Sequence, residues 1–370
     1  MITEDFNSID LLTGNTFMIT WDTGRRCNYD CSYCPVHRHD NFSPHASVEQ
    51  LNKGVDFIFS YVPLIMQYKS CKYCNIGFTG GEPTVNPNFI PFIQQIRDRQ
   101  DDSFNLQLSL TTNGAMGPKT AQKVGDLFDF ATISYHVEAD QRIKNNVIET
   151  IEYLQNLQNF DPKVNVMLHA DPDYFQECVD LCEYFDKKGI SYIPRVIEHG
   201  NALYNLHYSQ EQLEWMDGHF GSKESIKTNK TEGGCMGRPC CGGRNMQLSN
   251  DYETTESTYV GFRNFKDWQC SVNWFFLHIE QQTDLIYHHQ TCQARFDGTR
   301  GAIGTLSEYE KIVDDLKQKL ASKTMPVIKC PNNKCGCGLC APKAKNKQKF
   351  SSLISNHIND TSIFGNNLYE

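Results

Sequence analysis

Between Thr16 and about Glu198, short alternating apolar runs exchange regularly with longer stretches of helical apolar spacing. Thr16 to Trp21 reads as a first strand, and Ser47-Val48-Glu49-Gln50 is a capping box. Val48, Leu51, Val55, Ile58, Phe59 and Val62 follow it at helical spacing. Ile76 to Thr79 is a second strand. A helix capped by Asn86 or Asn88 follows, with Pro91 favouring the later start. Leu106, Leu108 and Leu110 alternate as a strand that ends in the turn signal Thr111-Thr112-Asn113-Gly114. Ile133, Tyr135 and Val137 mark a strand, and Ile143, Val147, Ile151 and Leu154 a helix. Val164, Val166 and Leu168 alternate again, Phe175, Val179, Cys182 and Phe185 are helical, and Ile190 to Val196 closes the series. About six βα units imply a parallel sheet with helices outside it. Six are too few for the closed eight-stranded barrel, so the expectation is an α/β fold built as an open, partial (β/α)6 barrel. In such sheets ligands meet the carboxyl ends of the strands.

One of those strand ends runs into Arg26-Cys27-Asn28-Tyr29-Asp30-Cys31-Ser32-Tyr33-Cys34-Pro35. Three cysteines at Cys-x3-Cys-x2-Cys spacing can wrap one iron–sulfur cube, leaving one iron of a [4Fe-4S] cluster without a protein ligand. A small chelating molecule can bind there and receive an electron. A structural zinc site is the alternative; it usually needs a fourth Cys or His, and His37 and His39 are close in sequence.

At the second strand end stands Phe78-Thr79-Gly80-Gly81-Glu82-Pro83, two glycines that allow close backbone approach followed by a carboxylate. Zinc gives no account of this run. With both motifs complete and in this order, the chain resembles the radical S-adenosylmethionine (SAM) enzymes. The resemblance implies that Cys27, Cys31 and Cys34 hold the cluster and that Gly80, Gly81, Glu82 and Pro83 meet the amino group of the SAM methionine moiety. Tyr33, the aromatic residue before the third cysteine, also fits that family's pattern. The resemblance implies the same partial barrel that the βα rhythm predicts.

Later strand ends are expected to carry further SAM contacts. Asn113 lies in the turn after the third strand, and Ser134 and His136 on the fourth strand are candidates for ribose or substrate. Arg195 on the sixth can match a carboxylate in two-pronged geometry. Cys178 and Cys182 share a helical face with Phe175 and Phe185 and read as core. Cys71 and Cys74 form a Cys-x2-Cys pair with no partner pair nearby, which favours packing over metal.

After Val196 the rhythm stops, and Thr228 to Gly234 reads as a linker. Cysteines then recur at 235, 240, 241, 270, 292, 330, 335, 337 and 340. Cys270 and Cys292 bracket two apolar runs, Trp274 to Ile279 and Leu285 to Tyr287, as a hairpin would. This section resembles the SPASM and twitch extensions of radical SAM enzymes. The resemblance implies one or two auxiliary [4Fe-4S] clusters, the first on Cys270, Cys292 and two of Cys330, Cys335, Cys337 and Cys340, with Cys235, Cys240 or Cys241 available to a second. Two departures stand out: Thr283-Asp284 replaces the usual hairpin glycine, and the last cysteines have their own spacing. Cys335-Gly336-Cys337-Gly338-Leu339-Cys340 would equally serve a zinc knuckle. Tyr309, Ile312, Val313, Leu316 and Leu320 give one more packed helix, and Lys343, Lys345, Lys347 and Lys349 read as a solvated tail. The division expected is a barrel over 1–229, a cysteine-rich auxiliary domain over 230–345 and a polar tail over 346–370.

With 370 residues, 39% hydrophobic and 21% charged, the chain is an ordinary globular one. A net charge of −9 argues against general affinity for nucleic acid or anionic membranes. No apolar run approaches the roughly 20 residues of a membrane span. Met1 to Gly14 lacks the basic region and apolar core of a secretory signal. Sixteen cysteines in tight clusters then point to metal binding in a reducing compartment, the cytoplasm. The resemblance implies reductive cleavage of SAM to methionine and a 5′-deoxyadenosyl radical, which takes hydrogen from a substrate. It also implies an external reductant such as flavodoxin or ferredoxin. The substrate class that accompanies such extensions is a peptide or protein; a sugar or nucleotide is the rival, and a non-catalytic zinc module is the alternative of a different class.

Overall fold

The computed structural model describes residues 8–9, 16–34, 38–197, 208–220, 265–332 and 341–368. The expected linker at 228–234 and Cys235, Cys240, Cys241, Cys335, Cys337 and Cys340 lie outside the described residues. The strands are β1 (Ser8–Ile9), β2 (Thr16–Asp22), β3 (Tyr73–Thr79), β4 (Asn105–Thr112), β5 (Phe130–His136), β6 (Asp161–Leu168), β7 (Tyr192–Val196), β8 (Gln269–Cys270), β9 (Phe276–Glu280), β10 (Leu285–Tyr287), β11 (Gly304–Thr305), β12 (Ile328–Lys329) and β13 (Lys343–Ala344). Strands β2 to β7 are neighbours in sequence order and all parallel, each joined to the next by a crossover. The sheet does not close, so the predicted open α/β barrel of six units is the fold observed.

The crossover helices are α1 (Val48–Met66), α2 (Phe89–Asp98), α3 (Pro118–Leu127), α4 (Gln141–Gln155) and α5 (Pro172–Lys188). Ser47 and Gln50 cap α1 reciprocally, as their spacing predicts. Asn88 precedes α2, which leaves Pro91 in the first turn. Helix α3 is absent from the sequence expectation because Ala121, Val124 and Leu127 are the only residues it buries. Alternate residues of β2 are buried, and the aromatic rings of Trp21, Phe78 and Phe92 pack edge-on or tilted beneath the strands. Cys178 and Cys182 are fully buried in the same core, as expected for small apolar groups.

The C-terminal section joins the barrel more intimately than the sequence suggests. Strand β9 pairs in parallel with β2, Met18 against Phe276 through Asp22 against Glu280, and β10 and β11 extend the sheet to nine strands. A second sheet has the order β1-β13-β8-β12. After α6 (Gln210–Phe220), α7 (Tyr309–Ala321) packs against α1, and α8 (Lys347–Ile354) follows β13. The reading of 346–370 as a solvated tail is corrected here. Phe350, Ile354, Ile358, Ile363, Phe364 and Leu368 are buried, and Lys343 is enclosed with its ammonium 5.0 Å from the Phe265 ring. The apolar residues outweigh the lysines, whose stems cover them. Lys69, also fully buried, donates to the Trp274 carbonyl at 3.0 Å and lies over the Phe275 ring. It fastens the end of α1 to the C-terminal section.

Candidate metal and cofactor site

The carboxyl ends of β2 to β7 surround one cavity of about 520 Å³. It is lined by Cys27, Cys31, Cys34 and Tyr33 from the loop after β2, by Gly80 and Gly81 after β3, and by Asn113 after β4. Ser134 and His136 of β5 and Arg195 of β7 complete the opposite wall. Five separate stretches of sequence thereby bring the predicted residues to one place. Glu82 and Pro83 stand behind the wall and do not line the cavity.

The cysteine loop is held from several sides. The Cys27 amide donates to the Asp40 carbonyl at 2.7 Å, and the Cys34 amide to the Cys31 carbonyl at 3.0 Å. Ser32 gives both its amide and its hydroxyl to Glu138, at 2.7 and 2.6 Å, and His169 lies 3.1 Å from the same carboxylate. The Asn113 amide nitrogen donates to Asn28 Oδ1 at 2.7 Å and sits 3.8 Å from Cys27 Sγ. Tyr33 and His136 meet at 2.5 Å with their rings stacked.

The glycines, which line the cavity, also have a task in the scaffold. A Cβ on Gly81 would lie 2.2 Å from the Arg25 carbonyl, and one on Gly80, whose φ is +138°, 2.5 Å from the Gly24 carbonyl. It is the cysteine loop's own backbone that fills this space. The Gly81 amide donates to Gly24 and the Glu82 amide to Arg26, at 2.7 and 2.8 Å. Glu82, 2% exposed, accepts from the Thr84 amide and hydroxyl, the Thr112 hydroxyl and the Asn113 amide. Its burial raises its pKa, and the hydrogen bonds from Thr84 and Asn113 oppose that rise. This carboxylate ties the ends of β3 and β4 together.

Burial pushes the Cys27 thiol up to about 11 and Cys31 up to about 12, and raises Cys34 as well. The bare chain therefore holds neutral thiols at pH 7, and uptake of a metal must release protons. Burial also pushes His136 down to about 4, so its imidazole is neutral toward Tyr33. Among the described residues no three His, Cys, Asp or Glu side chains converge on a point that one ion could occupy. A cubane presents a separate iron to each of three thiolates. Three sulfurs around an open cavity fit a cluster with room beside it.

Glu138, Thr112, Asn165 and Arg38 were not among the sequence candidates. Asn165 Oδ1 accepts from Arg195 Nε at 3.2 Å, and Arg38 lines the cavity from the far side of the loop. Ser134, His136 and Glu138 follow one another at intervals of two, and strand periodicity would have added Glu138 to the first two.

In the C-terminal section Cys270, Cys292 and Cys330 are all buried. Cys270 ends β8 between Ile328 of β12 and Lys343 of β13. The Cys330 amide donates to the Trp268 carbonyl at 2.9 Å, and Asn332 Nδ2 to the Cys292 carbonyl at 3.0 Å. Asn332 thus joins the segments of Cys292 and Cys330.

A family model described as the radical SAM superfamily matches residues 21–197. Residues 21–197 belong to the radical SAM superfamily. A GTP 3′,8-cyclase of Sulfurovum sp. (strain NBC37-1) is 32% identical over 101 residues, 27% of this chain and 28% of the relative. An uncharacterized protein of Methanocaldococcus jannaschii is 24% identical over 195 residues, 49% of this chain and 64% of the relative. The chain therefore spans less than two thirds of either curated relative. Among solved structures, native anSMEcpe with bound AdoMet has a TM-score of 0.50 at 14% identity, covering 80% of each chain. The same protein with AdoMet and the Cp18Cys peptide has a TM-score of 0.51 at 13% identity, covering 92% of this chain and 96% of that one. At such identity the likeness is one of fold. It extends beyond the radical SAM domain into the C-terminal section. No helix among the described residues is long and apolar enough to cross a membrane.

Proposed function

We propose that this chain is a radical SAM enzyme that acts on a peptide or protein substrate. The carrying observation is the single cavity that gathers Cys27, Cys31 and Cys34 with Gly80, Gly81, Asn113, Ser134, His136 and Arg195. When bound, a reduced [4Fe-4S] cluster and SAM together supply a 5′-deoxyadenosyl radical able to take hydrogen from unactivated carbon. The chain's own part is geometry. The three cysteines hold the cluster on a loop pinned by Glu138, Asp40 and Asn113. Glu82 fixes the strand ends that carry Gly80, Gly81 and Asn113, and so places backbone toward the SAM amino group. Arg195, steadied by Asn165, is set to take the SAM carboxylate in forked geometry. Tyr33, Ser134 and the neutral His136 are set against the nucleoside.

The peptide reading is supported by the fold shared with anSMEcpe, whose structure includes a peptide, over nearly the whole chain. A nucleotide or another small metabolite is the second reading, favoured by the local identity to GTP 3′,8-cyclase. On either reading the section over 230–345 is an auxiliary-cluster domain, with Cys270, Cys292 and Cys330 as ligands beside Cys335, Cys337 and Cys340, and with zinc as the competing metal. A flavodoxin- or ferredoxin-like reductant and a cytoplasmic setting complete the proposal. The test is spectroscopic. Anaerobically reconstituted protein should show a reduced-cluster signal that shifts on adding SAM, with 5′-deoxyadenosine formed under reduction. A signal indifferent to SAM defeats the reading.

A further inference from the structure

Glu138 stands just past the end of β5, opposite His169 just past the end of β6. The parallel register of those strands, His136 against Met167, continues for two residues to bring them together. The Glu138 side chain is 16% exposed, too little for salt and water to screen its charge fully. One of its oxygens accepts the Ser32 amide at 2.7 Å. The other accepts the Ser32 hydroxyl at 2.6 Å and lies 3.1 Å from His169 Nε2.

All three of these donors are neutral. The Asp171 amide donates to His169 Nδ1 at 3.1 Å, so the imidazole carries its proton on Nε2 and presents it to the carboxylate. No lysine or arginine forms an ion pair with Glu138 among the described residues. Neutral donors orient a carboxylate without cancelling its charge.

The amide that Glu138 takes also matters. A backbone N–H beside a cluster cysteine can donate to sulfur, and hydrogen bonds to the sulfurs, like net charge, set a cluster's potential. Cys27 is served in this way: its sulfur accepts the Tyr29 amide at 3.4 Å and lies 3.8 Å from Asn113 Nδ2. The Ser32 amide, next to Cys31, goes to Glu138 instead. On that side of the loop an N–H is withdrawn and a negative charge stands in its place. The charge is felt at the sulfur: burial first, and Glu138 second, push the Cys31 thiol up. Arg38 acts in the opposite sense, on Cys34.

We propose that Glu138 is a positioning residue that sets the reduction potential of the cluster held by Cys27, Cys31 and Cys34, its carboxylate keeping that potential low. A negative charge beside the loop disfavours an added electron, and so does the diverted amide. The reduced form is thereby made a stronger donor. The proposal rests on the reading of this site as a radical SAM centre.

The experiment is a redox titration of the anaerobically reconstituted full-length protein, followed by electron paramagnetic resonance. The reduced signal that shifts on adding SAM identifies this cluster, and its midpoint is measured before SAM is added. Glu138→Gln keeps the side-chain size and an acceptor for the Ser32 amide but removes the charge. It should ease reduction about tenfold, a midpoint about 59 mV higher for one electron. Glu138→Asp keeps the charge on a shorter arm; its midpoint should stay with the wild type while a chelator strips its iron faster. His169→Lys leaves Glu138 and the loop in place and sets an ammonium on the carboxylate. It should raise the midpoint as Glu138→Gln does, and it decides the matter if Glu138→Gln takes up no cluster. Thermal unfolding shows whether each variant is folded. A role in holding the loop alone would cost both Glu138 variants iron and move no midpoint. Midpoints unmoved in Glu138→Gln and His169→Lys, or raised as far by Glu138→Asp as by Glu138→Gln, overturn the proposal; a signal that still answers to SAM then leaves the radical SAM reading standing. A wild-type protein with no signal that answers to SAM overturns both.

Discussion

Two groups of cysteines in this molecule live under different conditions. Cys27 and Cys34 are partly exposed, on an irregular loop that borders an open cavity. Cys270, Cys292 and Cys330 are buried in short strands and turns whose backbone is bonded on both sides. A metal group that must meet a small molecule needs open coordination, whereas one that is sealed needs only to stay. On the proposed reading, the first group suits exchange at its surface and the second retention. The number of cysteines does not separate them; the backbone around each does.

The largest expected effect breaks the first group. Cys27→Ala, Cys31→Ala or Cys34→Ala should each take SAM cleavage below detection and lower iron by about four per chain while the remaining iron stays. Loss of all iron from any of these variants would show that the two groups are not independent. Cys270→Ala or Cys292→Ala should do the converse, leaving about four irons and a SAM-responsive spectrum. About one zinc and four irons in the unaltered protein would remove the auxiliary cluster and leave the first site in place.

The seam between the regions can be read by pH. Burial pushes the Lys69 ammonium down to about 7. Between that value and the ordinary range near 10.5 the unfolded chain holds a proton that the folded chain has released. Stability should therefore rise with pH from about 7 to about 10, by up to about 5 kcal/mol, and be at its lowest, from this group, below pH 7. In Lys69→Met that rise should vanish from denaturant titrations taken at several pH values; an unchanged slope would place the proton elsewhere. Gly81→Ala forces a methyl group against the Arg25 carbonyl and should cost about 2 kcal/mol or more, with loss of iron from the first site before any from the second. The smallest effect is Cys178→Ala. Its thiol donates to the Met167 carbonyl at 3.4 Å inside the core, so stability should fall by about 1 kcal/mol with SAM cleavage and iron content intact. Lost iron in this variant would contradict its assignment to packing.

Much of the barrel is legible in the sequence because period-two and helical spacing report burial directly. The six parallel strands, the Ser47 cap and the late start of α2 follow from local chemistry. Helix α3 does not, since only three buried residues, Ala121, Val124 and Leu127, leave little periodic signal. The C-terminal tail misleads for the opposite reason. Lysines stand out in composition, but the intervening Phe350, Ile354, Ile363 and Phe364 decide where the chain goes. At the site, the cysteines and the Gly-Gly pair announce themselves, yet the carbonyls that press on the glycines lie more than fifty residues away. Glu138 and His169 carry no motif at all. Only the register of β5 against β6 makes them neighbours, and register between separate segments is not written in either one.

The register of β9 against β2 sets a timetable for synthesis. Residues 18–22 lead into the cysteine loop, but one of their two neighbours is residues 276–280, made roughly 250 residues later. Until then β2 is an outer strand with unpaired amides and carbonyls, open to chance pairing with other chains. Long-range closure of this kind is slow, and the cysteine loop that leaves β2 stays reachable from the side throughout. A nascent chain thus keeps these three thiols reachable before the hairpin arrives to cover the flank of β2. Premature termination after the barrel would leave an aggregation-prone edge, not a free-standing catalytic half.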